Sequence, residues 1–147
     1  MIAGYCWPQS ALPEQSVKIF CHTEADTFKF TILRQGKSLE KIVESKTIEG
    51  IKQTISPDSS VEGCDWVPSF ELVIDPNWKS GFYVVQLEDS DGEISEAFFV
   101  VRARERKHAL FVLATSTWNA YNTWGGPSFY TGGYVTSLKP VSYTHLR

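Results

Sequence analysis

The sequence predicts a mainly β protein: an immunoglobulin-like β-sandwich over residues 1–103, a linker at 104–108, and the first strand and loop of a second, α/β domain over residues 109–140. Three observations predict this. The first hundred residues fall into about seven short runs of alternating apolar and polar side chains divided by turn chemistry, the pattern of a sandwich. Residues Ala109 to Ala114 form one apolar run that does not alternate, as strands buried on both faces do. Between the two lies Arg102-Ala103-Arg104-Glu105-Arg106-Lys107-His108, a charged stretch that reads as a solvated linker.

The elements follow in order. Val17, Ile19 and Cys21 alternate with Lys18, Phe20 and His22, and Phe28, Phe30 and Ile32 alternate with Lys29, Thr31 and Leu33, giving two period-2 strands. Gln35-Gly36-Lys37 turns the chain, and Leu39 to Val43 is a candidate third strand. Ile48, Ile51 and Ile55 suit strand and helix equally. Pro57 to Ser60 and Glu62 to Asp65 are turn-forming. Pro68 to Ile74 alternates again, with Phe70, Leu72 and Ile74 on one face, and ends at Asp75 to Gly81, where Pro76 and Gly81 punctuate a turn. Phe82 to Leu87 and Ile94 to Val101 pair as a hairpin across Asp89-Ser90-Asp91-Gly92. The predicted core is Ile19, Phe30, Ile32, Phe70, Leu72, Tyr83, Val85 and Phe99. The Cys–Trp–Cys arrangement of antibody domains is missing.

Composition narrows the function classes. With 42% hydrophobic residues, 21% charged and 14% aromatic, the 147-residue chain has the means to bury a core. Fourteen basic against 17 acidic residues leave a formal charge of −3, which argues against a nucleic-acid partner. The longest apolar run is far short of the roughly 20 residues that cross a bilayer, and Met1-Ile2-Ala3-Gly4 lacks the basic and apolar regions of a signal peptide. No membrane partner and a cytoplasmic location are therefore expected. Cys6, Cys21 and Cys64 are odd in number and widely spaced, so they read as buried thiols and not as a disulfide framework or zinc site. His22, in a strand pattern, reads as a half-buried structural residue.

The segment Ala114 to Tyr130 holds the best functional candidates. It follows the apolar run at the end where open α/β sheets place their sites. Trp118, Asn119, Tyr121, Asn122, Trp124 and Tyr130 surround a Gly-Gly-Pro turn, and large aromatics with polar tips need both burial and partners. They read as a pocket or interface loop. Neither Gly125-Gly126 nor Gly132-Gly133 makes a phosphate loop, and no residue is assigned a catalytic role from the sequence.

The stretch Thr117-Trp118-Asn119-Ala120-Tyr121-Asn122-Thr123-Trp124-Gly125-Gly126-Pro127-Ser128-Phe129-Tyr130, with Ser80-Gly81-Phe82-Tyr83 and Glu96-Ala97-Phe98-Phe99-Val100 before it, resembles the N,N-dimethylformamidase large-subunit family. The resemblance runs from Ile2 to about Pro140, and Gly63-Cys64-Asp65-Trp66 and Asp75-Pro76-Asn77-Trp78 fit shorter relatives. It implies a sandwich leading into an α/β domain of glutamine-amidotransferase type. It also implies a small-molecule amide substrate and a mononuclear iron held by one tyrosinate and two glutamates. Tyr121 is the tyrosine ligand that the resemblance implies, while Trp118 stands where such chains tend to carry a further Tyr. The glutamates are expected beyond residue 140, so iron belongs to the full-length protein and none is expected in these residues alone.

The last seven residues, Val141-Ser142-Tyr143-Thr144-His145-Leu146-Arg147, are the translation of GTC TCT TAT ACA CAT CTC CG, a transposase-end sequencing adaptor. The authentic sequence is expected to stop near Pro140, so Tyr143 and His145 carry no function and the tail packs against nothing specific. Without Arg147, 13 basic residues face 17 acidic ones and the charge is −4. Two readings result. In the first, the chain is the N-terminal fragment of a dimethylformamidase-like, metal-dependent amide hydrolase, inactive by itself, with the absent C-terminal α/β domain and other copies of the chain as partners. In the second, it is a non-catalytic sandwich that binds a partner through exposed aromatics such as Trp7, Trp66 and Trp78.

Overall fold

A computed structural model describes residues 1–135 and 141–142. Its elements are β1 (Ile2–Trp7), β2 (Ser10–Ala11), β3 (Ser16–Thr23), β4 (Thr27–Gln35), β5 (Leu39–Glu44), β6 (Ile48–Glu49), α1 (Ser59–Glu62), β7 (Phe70–Val73), β8 (Gly81–Asp89), β9 (Ile94–Val101) and α2 (Thr115–Tyr121). Two sheets form a sandwich. The smaller has the order β1-β3-β7 and the larger β2-β9-β8-β4-β5, with β6 added to β4.

Alternation along the strands decides which side chains enter the interior. From the large sheet come Phe28, Phe30, Ile32, Tyr83, Val85, Leu87, Phe99 and Val101; the small sheet contributes Val17, Ile19, Cys21 and Leu72. The hairpin of β8 and β9 has Tyr83 opposite Phe99 and Val85 opposite Ala97, so the inward set is continuous across it. Trp78, in the turn before β8, stacks on Tyr83 at 5.3 Å between ring centroids, and Tyr83 stacks on Phe99 at 5.3 Å. The Tyr83 hydroxyl leaves this apolar layer at its tip and donates to the Lys79 carbonyl at 2.6 Å.

Asp89 fastens the far end of the hairpin. Its Oδ1 accepts from the Asp91 and Glu93 amides at 3.1 and 2.9 Å, and its Oδ2 accepts from the Thr23 hydroxyl at 2.9 Å. The predicted Asp-Ser-Asp-Gly turn thus closes on its own first carboxylate and ties the large sheet to β3 of the small one.

Several expectations need correction. Phe70 is 40% exposed, because β7 lies at the edge of the small sheet and its ring meets Phe30 from the rim at 5.1 Å. A short helix, α1, occupies Ser59–Glu62, and of the Ile48-to-Ile55 stretch only Ile48–Glu49 is a strand. Ala109 to Ala114 lies outside both sheets, as expected, yet it is not a strand. Leu110, Phe111 and Val112 are 88%, 78% and 75% exposed. A doubly buried strand exists only between hydrogen-bonded neighbours and under covering helices, and the described residues supply neither.

The tail behaves differently from expectation where it is described. Val141 and Ser142 are buried: Val141 joins a second apolar cluster with Ala3, Tyr5, Phe20, Cys64 and Trp66, and the Gly4 amide donates to the Ser142 hydroxyl at 3.3 Å. A small apolar side chain beside an aromatic cluster gains by leaving water whatever its origin. Pro140, Tyr143, His145 and Leu146 lie outside the described residues. No helix among the described residues is long and apolar enough to cross a membrane.

Strand β1 can approach its neighbours only through a glycine. A Cβ on Gly4 would sit 2.2 Å from Leu87 Cδ1 and 2.8 Å from the Phe20 carbonyl oxygen, and the second of these is backbone that cannot rotate away. Gly4→Ala is expected to lower stability by about 1–3 kcal/mol, the usual range for overpacking, read as a lowered midpoint in urea denaturation with unchanged slope.

Candidate functional site

The aromatic segment after the sandwich divides into three contacts and does not converge on one pocket. Its first half is helical: α2 carries Trp118, Asn119 and Tyr121. Trp118 faces the outer side of the β8–β9 hairpin, edge-on to Phe98 at 5.3 Å and to Phe82 at 6.4 Å. Phe82 and Phe98 alternate outward from the inward Tyr83 and Phe99, so the outer face of this hairpin is also apolar and needs a cover. The helix supplies one through Trp118.

Trp124 is the second contact. It meets Trp66 edge-on at 5.5 Å, and Trp66 stacks in turn on Tyr5 at 5.4 Å and on His22 at 5.8 Å. Tyr5 stacks on Phe20 at 4.6 Å. This cluster covers the outer face of the small sheet, with Trp66 held by an Nε1 hydrogen bond to the Thr54 carbonyl at 2.8 Å and the Tyr5 hydroxyl donating to the Cys64 carbonyl at 2.9 Å. Asn122 fixes the approach: its Nδ2 donates to the Ser142 carbonyl at 2.8 Å and its Oδ1 accepts from the Trp124 amide at 3.3 Å. Both Asn119 and Asn122 are buried.

The third contact is the pair Tyr121 and Tyr130, stacked at 4.1 Å and 13° with both residues exposed. A hydrogen bond with Tyr130, and the charge Tyr130 carries when ionised, raise the Tyr121 phenol above its ordinary value. That direction opposes a free phenolate. Among the described residues no three His, Cys, Asp or Glu side chains come together as a metal-binding group. The Tyr121 oxygen fits one ligand position of a hard cation, and the remaining positions find no such cluster there.

His22 is more buried than its strand pattern predicts, at 3% exposure. Its Nδ1 lies 3.0 Å from the Gln53 carbonyl, which only accepts, so Nδ1 carries the proton. Nε2 is buried without a hydrogen-bond partner among the described residues. That His22, Tyr5, Trp66 and Trp124 meet is not legible in the sequence, because they come from four separated segments; only the cost of leaving large aromatics exposed hints at it. Two of the three Trp residues expected to be exposed are not. Trp66 is buried and Trp78 half-buried against Tyr83, leaving Trp7 at 43% exposure.

All three cysteines are free and buried, as their spacing predicts. Burial pushes the Cys64 thiol up to about 11 and the Cys21 thiol up to about 12, and raises Cys6 as well. Each is therefore protonated and weakly nucleophilic at neutral pH. At pH 8 the folded protein is expected to react negligibly with a thiol-specific disulfide reagent within minutes, and all three thiols should react on addition of guanidinium chloride. Rapid release of one equivalent from the folded protein would contradict the burial.

The family model described as N,N-dimethylformamidase beta subunit-like, C-terminal, matches residues 30–145, continuously from β4 through the 104–108 segment and α2. No curated protein sequence gives a match. Among solved structures, the chain is similar to murine CEACAM1b at 17% identity and a TM-score of 0.34, over 73% of this chain. It spans 56% of that chain's length.

Proposed function

The chain belongs to the N,N-dimethylformamidase beta subunit-like family, and from that premise we propose that it is part of a hydrolase of non-peptide amide C–N bonds. In this reading the sandwich is scaffold and the Trp118–Tyr130 segment forms part of the substrate pocket wall. The observation that carries the proposal is the single unbroken family match, which takes in the sandwich from β4 together with the aromatic segment. The geometry agrees with a scaffold role, since Trp118 anchors α2 on one sheet and Trp124 anchors the following turn on the other. Between these anchors Tyr121 stays exposed and available to a ligand or a neighbouring domain.

Tyr121 supplies one oxygen to an iron whose other donors come from outside the described residues. Bound iron supplies Lewis acidity toward the amide carbonyl. Tyr121 itself would have to release its proton to serve, and the stacked Tyr130, which raises the Tyr121 phenol above its ordinary value, makes that release harder. In the full-length gene product, Tyr121→Phe is expected to abolish iron retention by elemental analysis while leaving the circular dichroism spectrum unchanged. Tyr130→Phe should retain iron. Full occupancy in Tyr121→Phe would remove Tyr121 from the ligand set.

The exposed run Leu110 to Val112 supports a further α/β domain docking over this end of the protein, because contiguous apolar surface of this kind marks an interface. Ending the chain at Arg104 is expected to raise solubility without lowering the sandwich's denaturation midpoint. Unchanged solubility would argue that residues 109–140 are not waiting for a partner domain. A non-catalytic binding module is the weaker reading, since of its three proposed contact aromatics only Trp7 is exposed.

A further inference from the structure

The charged stretch that reads as a linker does not run free into solvent. Residues 102–107 fold back along the end of the sandwich, where the Arg104 guanidinium donates to the Pro13 carbonyl at 3.0 Å and pairs with Glu14, and the Arg102 guanidinium reaches Gln15 Oε1 at 3.3 Å. In doing so they close one wall of a cleft of about 470 Å³.

The topology gathers positive charge there. Strands β4, β8 and β9 are antiparallel neighbours, so the end of β4, the start of β8 and the residues after β9 share one end of the large sheet. That end brings together Arg34, Lys79, Arg102, Arg104 and Lys107 around the cleft, with Glu105 as its one acidic lining residue. Glu14 pairs with Arg104, and Glu105 with Lys107 at 3.7 Å, whereas Arg34, which stands opposite Glu40 in the β4–β5 ladder, Lys79 and Arg102 make no ion pair within 4.0 Å among the described residues. A chain of net charge −3 thus concentrates five cations in one concave place, where like charges repel and an anion relieves the repulsion.

Arg34 gives the cleft a fixed point. Its Nη2 donates to the Ser80 carbonyl at 3.1 Å, and the guanidinium lies against Gly81, where an added Cβ would be 3.4 Å from both Nε and Nη2. Gly81 has φ +152°, a conformation that side chains disfavour, so the strand start is shaped to accept the flat guanidinium. Trp78, stacked on Tyr83 beneath, completes the floor. Arg34 Nε is buried without a hydrogen-bond partner among the described residues and Nη2 is engaged by the Ser80 carbonyl, so the guanidinium presents a fixed positive charge and its remaining Nη protons to the cleft.

We propose that this cleft binds a small dianionic oxyanion, a phosphate monoester or a dicarboxylate, through Arg34, Lys79 and Arg102. The site stands apart from the Tyr121 segment and does not depend on the hydrolase reading. The test is isothermal titration calorimetry of the whole chain with inorganic phosphate and, separately, with succinate, at about 20 mM ionic strength to limit screening. Saturable one-to-one binding of one or both is expected, and the tighter of the two identifies the headgroup. Arg34→Gln and Arg102→Gln should each weaken it by roughly tenfold, the worth of one charge-assisted hydrogen bond. Lys29→Gln, which removes a β4 lysine paired with Glu88, should leave it unchanged. If Arg34→Gln does not fold, Arg102→Gln at its exposed position decides alone. No saturable heat with either dianion, or an equal loss in Lys29→Gln, overturns the proposal.

Discussion

The two sheets are held face to face by one apolar layer, in which Phe30, Ile32, Tyr83, Val85 and Phe99 of the large sheet meet Val17, Ile19 and Leu72 of the small one. Burying each such side chain is worth about 1.5–3 kcal/mol, and a β-sheet with one unburied apolar face has no stability of its own. The register of β4, β8 and β9 follows from this layer, since a slip of one residue would turn Phe30, Tyr83 and Phe99 outward together. The positions of every group discussed above follow from that register: Arg34 at the end of β4, Gly81 at the start of β8, and Phe82 and Phe98 on the outer face.

The outer faces are unusual for a sandwich in being aromatic as well. Phe82 and Phe98 lie on one outer face, and Tyr5 and Phe20, covered by Trp66, on the other. The residues after β9 cover both, through Trp118 and Trp124. A segment that reads as a loop with chemistry in it is in this respect packing, and what it leaves open to chemistry is the Tyr121–Tyr130 pair. The same tether that positions the pair gives the buried Asn122 its role: it orders the backbone between the anchors by bonding both ahead to Trp124 and across to Ser142.

The two ends of the sandwich therefore differ in character. At the Asp89 end a carboxylate is consumed by three hydrogen bonds within the protein. At the Arg34 end the guanidinium is held by a carbonyl and makes no ion pair within 4.0 Å among the described residues. Membership of the N,N-dimethylformamidase beta subunit-like family and the anion binding proposed for the cleft rest on separate residues of one chain.

Alternation and turn chemistry were enough to place most of the strands and most of the core, because period-2 patterning and turn residues are local properties of a chain, whereas β1 (Ile2–Trp7), which pairs along β3, was not read from its own residues. Seven of the eight core residues expected from sequence are buried, and Phe70 misses only because an edge position is not written in a strand's own residues. The aromatic segment was legible as exceptional, and its motif as a family resemblance, since both are matters of composition and order. Tertiary structure alone decided the rest. It left Ala109 to Ala114 without a sheet to join, buried Trp66, half-buried Trp78, and split the aromatic segment between two faces. It also folded a basic linker back onto Arg34. Each of these depends on which distant surface lies nearby when an apolar or charged side chain seeks a partner, and sequence separation carries no record of that distance.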